Sequence, residues 1–175
     1  LDMRMDESLE TTAADIVNEF DEKSLADLIF QYGQDRASRR IARYIVDRRQ
    51  RERIATTGQL AAIVCSALRV PNHKNRAKKH PATRTFQALR IAVNHELDNL
   101  QELLSAAPGL LKKDGFLAVI SFHSLEDGLV KRDFKANAAE GVYRLCTKKP
   151  IVPSREEIEA NNRARSAKLR IAQRA

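Results

Sequence analysis

The chain has 175 residues, enough for one domain or a domain with a small appendage, and 43% of them are hydrophobic, enough for a packed core. Lys and Arg number 31 against 23 Asp and Glu, a formal net charge of +8 that favours a polyanionic partner, and the interleaving of the two signs excludes a disordered basic tail. Six glycines argue against a glycine-rich nucleotide cradle, no apolar run approaches the roughly 18 residues of a membrane span, and the opening residues lack the basic-then-apolar pattern of a secretory signal.

Cys65 and Cys146 lie far apart and form no CxxC pair, so they read as neither a disulfide framework nor a zinc site, and a reducing compartment is the default. His73, His80, His95 and His123 show no ligand spacing, and no metal is expected. The first residue is Leu1 rather than Met, which reads as a processed chain or a piece of a longer one.

Residues 1–6, LDMRMD, have neither helical nor strand period and read as a loop. Thr11 and Thr12 can cap a short helix running to Phe20. Asp21 opens a second helix whose Leu25, Leu28 and Ile29 share a face, with Gly33 as its stop. A third is expected over about 34–53, with Ile41, Ala42, Ile45 and Val46 as its apolar stripe and arginines over the rest. Thr56 and Thr57 precede a fourth, ended by Pro71. Residues 71–84 form a basic, polar connection. Phe86, Leu89, Val93, Leu97, Leu100 and Leu104 then recur at three- and four-residue steps, predicting one side of a single long helix. Pro108-Gly109 and Asp114-Gly115 punctuate the next stretch.

The period changes at residues 116–122, FLAVISF, a continuous apolar run that predicts a central strand buried on both faces of an α/β sheet. Ser124 is expected to cap the next helix, with Glu126 and Asp127 in its first turn. Residues 142–147 are a weaker strand candidate, Ser154 and Glu157 fit a capping box, and residues 166–172 can form a last strand. Residues from about 8 to 80 thus read as an all-helical basic unit and 83–175 as the back half of an α/β domain. One strong strand cannot satisfy its own backbone groups or cover both its faces, so the other half is expected to lie outside these residues.

Four segments carry a resemblance: LDMRMD at 1–6, KKHPATRTFQALRIAVNHEL at 78–97, GFLAVISFHSLED at 115–127 and NNRARSAKLRIA at 161–172. Together they resemble the RsmH (MraW) family, S-adenosylmethionine-dependent methyltransferases acting on cytosine N4 of small-subunit ribosomal RNA. The resemblance implies a partial class I (Rossmann-like) methyltransferase fold, α/β, with an inserted all-helical domain. Residues 1–7 would be the loop leaving the catalytic domain, 8–82 the inserted substrate-recognition domain, and 83–175 the carboxyl-terminal half of the methyltransferase domain. S-adenosylmethionine is implied for the complete enzyme, but its glycine-rich loop and ribose-binding acid lie upstream in the family, so no cofactor-binding residue is assigned here. Gly128 stands where relatives usually carry Arg, and Asn162 where they usually carry Pro. The implied partners are small-subunit ribosomal RNA or the assembling subunit, and a separate amino-terminal half if one exists, in a bacterial cytoplasm or an organelle descended from one.

Methylating an exocyclic amine is mostly a positioning problem, because the base must leave its stack and present its nitrogen in line with the methyl donor. Ser121 to Ser124 follow the strand at the edge where α/β sheets bind ligands. Phe122 stacks on a base or on the cofactor adenine, or is core; His123 and Ser124 hydrogen-bond a base edge or a phosphate, or Ser124 is only a cap. The resemblance favours roles at the site for His123 and Ser124. It also places Asp2 or Asp6 towards the substrate pocket, and gives Arg4 either a phosphate or a neighbouring carboxylate. Arg36, Arg39, Arg40 and Arg43, together with Lys74, Arg76, Lys78, Lys79, His80 and Arg84, are dense enough to make an RNA phosphate surface. Arg163, Arg165 and Lys168, with Arg170, form a second basic cluster, part of which can instead serve the fold. Two rival readings are a non-catalytic ribosomal RNA-binding or assembly module without a cofactor site, and a helical DNA-binding domain, which leaves the apolar strand unexplained.

Overall fold

The computed structural model describes residues 1–71 and 80–175. They form two compact units, Leu1–Glu96 and Leu97–Ala175, in a mixed α/β chain with a small three-stranded sheet.

In the first unit, α1 (Ala13–Glu19) begins in a reciprocal cap: the Thr12 hydroxyl accepts from the Asp15 N–H at 3.2 Å and the Asp15 carboxylate accepts from the Thr12 N–H at 2.9 Å. Helix α2 (Glu22–Gly33) is capped by Asp21, as expected. Its stop differs from expectation, because the left-handed residue after it is Gln34 at φ 51°, not Gly33. Gly33 is buried, and a Cβ there would lie 2.7 Å from the Arg84 carbonyl oxygen, so its small size allows α5 (Thr83–Val93) to approach.

Helix α3 (Ser38–Arg49) is shorter than the arginine-rich stretch suggests. Asp35 accepts from the Ala37 N–H at 2.9 Å and holds the entry in a turn. At the exit Asn18 accepts from the Ile54 N–H and donates to the Ile54 carbonyl, both at 2.9 Å, drawing the chain out of helical path. Helix α4 (Thr57–Leu68) starts in a Thr56–Gln59 capping box and ends at left-handed Arg69, before Pro71 is reached. Ile16, Leu25, Ile29, Ile41, Ile45, Leu60 and Leu89 from all five helices share one buried core. Cys65 is buried as well, and burial raises its thiol.

The long helix expected over 86–104 is two helices, α5 and α6 (Glu96–Leu110), broken at Asn94 and left-handed His95 (φ 50°). Pro108 and Gly109 lie inside α6 and do not end it. The next turn is at Asp114 (φ 63°), where the Gly115 N–H donates to the Lys112 carbonyl.

In the second unit, β1 (Phe116–Ser121), β2 (Tyr143–Leu145) and β3 (Lys168–Arg174) form an antiparallel sheet in the order β1-β3-β2. Leu117, Val119 and Ala172 pack with Val130 and Phe134 of α7 (Ser124–Ala139) and Leu104 of α6. The expectation that β1 is buried on both faces fails: Phe116 and Ile120, on the other face, are 61% and 58% exposed, and among the described residues β1 pairs with β3 alone. An unbroken apolar run states that a strand is sticky on both sides, not that both sides are covered. Ser154 caps the short α8 (Arg155–Ala160), and a 3₁₀ turn at Asn162–Ser166 leads into β3.

Candidate functional site

The expected site residues fall in both units. In the first, the opening loop is fixed by two side chains. The Arg4 guanidinium donates to both oxygens of Asp2 at 2.7 and 2.9 Å and to the carbonyls of Glu7 and Leu9 at 3.0 and 2.7 Å. Hydrogen bonding from the Arg4 side chain, then from its backbone N–H, holds the Asp2 carboxyl down to about 2. Of the two partners expected for Arg4, the structure supplies the neighbouring carboxylate, and Asp2 has both oxygens engaged by it. Asp6 accepts from the Ser8 N–H at 2.9 Å, which lowers its carboxyl.

The second fixing residue is Asn94, which sequence reasoning missed. It donates to the Met3 and Arg90 carbonyls at 2.9 and 2.8 Å and accepts from the Met5 N–H at 2.7 Å. No signal in the sequence pointed to it, because the apolar register from Phe86 to Leu104 runs unbroken past Asn94. Sequence spacing alone does not connect positions so far apart.

The arginine surface also lies in this unit. Helix α3 buries Ile41, Ala42 and Ile45, and at 100° per residue this turns Arg39, Arg40 and Arg43 outward; Arg36, just before the helix, is exposed too. Among the described residues none of these four is in an ion pair. Arg84 donates to the Gln34 carbonyl at 3.3 Å, which puts the start of α5 beside the loop that enters α3. Neither α3 nor α5 has an acidic residue in its first turn or a side-chain cap, whereas α1, α2, α7 and α8 have both. Two positive helix ends and an excess of arginines therefore lie in one region, with Asp35 at the entry to α3 as the acidic group bonded there. The His80 ring accepts from the Ala82 N–H at 3.2 Å and shapes the entry to α5. Lys74, Arg76, Lys78 and Lys79 lie outside the described residues.

In the second unit, the crossing from β1 to α7 corrects one expectation. His123, not Ser124, is the N-cap: its Nδ1 accepts from the Glu126 N–H at 3.3 Å, while one Glu126 oxygen accepts from the Phe122 and His123 N–H groups at 2.8 and 3.1 Å. Accepting at Nδ1 leaves the proton of the neutral ring on Nε2, which lies 3.3 Å from the other Glu126 oxygen. A ring nitrogen completes a box usually built by a hydroxyl, so the residue-type rule pointed one position too far. Ser124 is the exposed first residue of α7. Phe122 is 54% exposed, and Phe116 and Ile120 before it at alternate positions are exposed too, so it is not core among the described residues.

Part of the second basic cluster serves the fold. Arg170 and Lys168 both hold Asp127, at 2.7 and 3.1 Å. Burial pushes the Asp127 carboxyl up, and hydrogen bonds from Arg170 and Lys168 outweigh it and bring it down. Arg163 and Arg165 remain exposed on the 3₁₀ turn.

S-adenosylmethionine does not fit the described residues by themselves. Gly33, Gly58, Gly109 and Gly128 lie inside helices and Gly115 and Gly141 in turns, so none opens the backbone of a strand-to-helix crossing, and the crossing from β1 carries Phe122 and His123 instead.

Comparison with known families matches residues 1–175 to the MraW methylase family. The chain belongs to this family. MraW-family relatives named ribosomal RNA small subunit methyltransferase H include one from Synechococcus elongatus, 56% identical over 176 residues that cover 99% of this chain and 56% of the relative. One from Acidobacterium capsulatum is 52% identical over 174 residues, covering 99% and 57%. A third, from Brevibacillus brevis, is 45% identical over 189 residues, covering 99% and 60%. The chain thus spans less than two thirds of the length of these relatives. No helix among the described residues is long and apolar enough to cross a membrane.

Proposed function

We propose that these residues supply the RNA-recognition and carboxyl-terminal part of an enzyme that transfers a methyl group from S-adenosylmethionine to the exocyclic N4 of a cytosine in small-subunit ribosomal RNA. Residues 1–7 are the loop leaving the catalytic domain, 8–82 the inserted helical domain and 83–175 the second half of a class I methyltransferase domain. The donor pocket is completed by a segment corresponding to the part of the relatives that this chain does not span, joined to it or supplied separately, in the cytoplasm. The bare face and open edge of β1 support this reading, since a strand of that composition needs a neighbour.

The observation that carries the RNA part is the convergence of Arg36, Arg39, Arg40, Arg43 and Arg84 on the α3 and α5 ends. Phosphate contacts by such residues give affinity without sequence preference and release counterions. In the first unit Asp6, and in the second Phe122, His123 and Ser124, are each given roles towards substrate by the resemblance, and Arg163 and Arg165 are phosphate contacts of the second unit. The test is methyl transfer from labelled S-adenosylmethionine to small ribosomal subunits by the full-length protein, with the modified nucleotide identified by mass spectrometry. Product at cytosine N4 is expected. Replacing Arg36, Arg39, Arg40 and Arg43 by Ala is expected to weaken RNA binding at least about tenfold and to flatten its salt dependence by about 0.7–0.9 for each phosphate no longer neutralised. Methylation at another atom refutes the substrate assignment, and an unchanged salt slope refutes the RNA surface.

A further inference from the structure

We propose that Asn94 is a positioning residue for the base that accepts the methyl group, acting through the loop at residues 3–6; this rests on the functional reading above. The loop's construction is out of proportion to that of a solvated connection. Met3 adopts φ 72°, a left-handed conformation uncommon for a non-glycine residue, and unlike Gln34 and Arg69 it does not follow a helix. Besides Arg4, the group that holds it is Asn94, which is 7% exposed and clamps the loop from both sides of Arg4, donating to the Met3 carbonyl and accepting from the Met5 N–H. Its third hydrogen bond, to the Arg90 carbonyl, ties the clamp to the last turn of α5. The other end of the loop is held as firmly. The Leu1 and Asp2 carbonyls accept from the Ala14 and Ala13 N–H groups at the start of α1, at 2.8 and 2.7 Å.

The side chains on this rigid backbone are the reverse of buried. Met5 is 72% exposed although its N–H is clamped, and Asp6, held in its own turn by the Ser8 N–H, is exposed beside it. An apolar, polarizable thioether beside a carboxylate suits a nucleobase, with the sulfur and methylene groups against the ring face and an oxygen accepting from an amine N–H. Free rotation of the loop would spread these two groups over several ångströms. Asn94 removes that freedom before the base arrives, and so contributes to the orientation on which amine methylation depends. The break between α5 and α6 gains a reason as well: a helix continued through residue 94 would not aim the amide at both Met3 and Met5.

The experiment uses the full-length protein and small ribosomal subunits, comparing wild type with Asn94→Ala and Asn94→Asp, and follows exchange of the Met5 amide hydrogen in the 175-residue chain. Asn94→Ala is expected to lower kcat by about ten- to a hundredfold with KM for subunits within about threefold, because a loosened loop misplaces a bound base. It should also raise the Met5 exchange rate by at least about tenfold. In Asn94→Asp the carboxylate still accepts from Met5 but donates to neither carbonyl until it is protonated. Its kcat is therefore expected to recover towards wild type as pH falls from about 8 to about 6, a profile that wild type lacks and that a general loss of stability does not produce. If Asn94→Ala does not fold, the pH profile of Asn94→Asp decides. Unchanged kcat in both variants, a rise in KM alone, or unchanged Met5 exchange would overturn the role of Asn94 while leaving the functional reading intact. A wild type that methylates no small subunit would overturn both.

Discussion

Replacing Gly33 by Ala sets two known effects against each other. Inside a helix, Gly to Ala ordinarily gains up to about 1 kcal/mol, because glycine loses more backbone freedom on folding. At Gly33 the added Cβ would lie 2.7 Å from the Arg84 carbonyl oxygen and 3.2 Å from its carbon. Both are backbone atoms at the start of α5, so no side-chain rotation relieves the clash, and α2 and α5 must separate. Forcing volume into a packed interface costs about 1–3 kcal/mol. The clash wins, for a net loss of up to about 2 kcal/mol. Gly58 is the control in the same unit: it lies exposed in α4, and the nearest atom to an added methyl, the Thr56 hydroxyl oxygen, would be at an ordinary 3.9 Å. Gly58→Ala should therefore be neutral or stabilising by up to about 1 kcal/mol. Urea titrations followed by circular dichroism measure both. Because α5 carries Arg84, Gly33→Ala should also weaken RNA binding under conditions where the chain remains folded. Equal or greater stability of Gly33→Ala would refute the claim that this glycine exists for the α2–α5 approach.

Other substitutions test the second unit. Asp127→Asn leaves the Arg170 guanidinium, whose side chain is 12% exposed, without its charge partner, and should cost about 3 kcal/mol at pH 7. Because the Asp127 carboxyl is lowered in the folded state, this stabilisation is fully present above the ordinary 3.8 and disappears as pH falls through the lowered value, so wild type and variant should converge in acid melts. Asp133 is the opposite case. Burial raises its carboxyl, against a weaker lowering by a hydrogen bond from Asn137, and among the described residues its Oδ2 has no hydrogen-bond partner. Its charge is a penalty at neutral pH that acid relieves, so Asp133→Asn should gain about 1 kcal/mol at pH 7, with the gain shrinking as pH falls. Isothermal titration of the 175-residue chain with S-adenosylmethionine should show no micromolar binding; a micromolar dissociation constant would contradict the pocket assignment.

Local chemistry was legible where the residues that decide it are neighbours. The threonine pairs at 11–12 and 56–57 and the spacing of Ser154 and Glu157 announced helix starts, and the caps are Thr12, Thr56 and Ser154. The errors come from partners distant in sequence. The break at Asn94 is decided by Met3 and Met5, and the end of α3 by Asn18. The reason for Gly33 is the backbone of Arg84. At the candidate site, the density of arginines was visible because charge is a property of composition, and the α3 segment turns four of them outward. The roles of His123 and Arg4 were less visible, because a ring or guanidinium that serves its own turn is written with the same letters as one that meets a substrate.

The sheet's order has a consequence for when the second unit can form. The strand that joins the other two, β3, is the last of the three along the chain, so β1 and β2 have no direct bond to each other and wait for it. A ribosome making this polypeptide releases the FLAVIS strand about fifty residues before its partner, at about 5–20 residues per second. For several seconds the edge that β3 will pair stays open, while Leu117 and Val119 can already pack against Leu104 of α6 and then α7, so the interval exposes backbone rather than the whole strand.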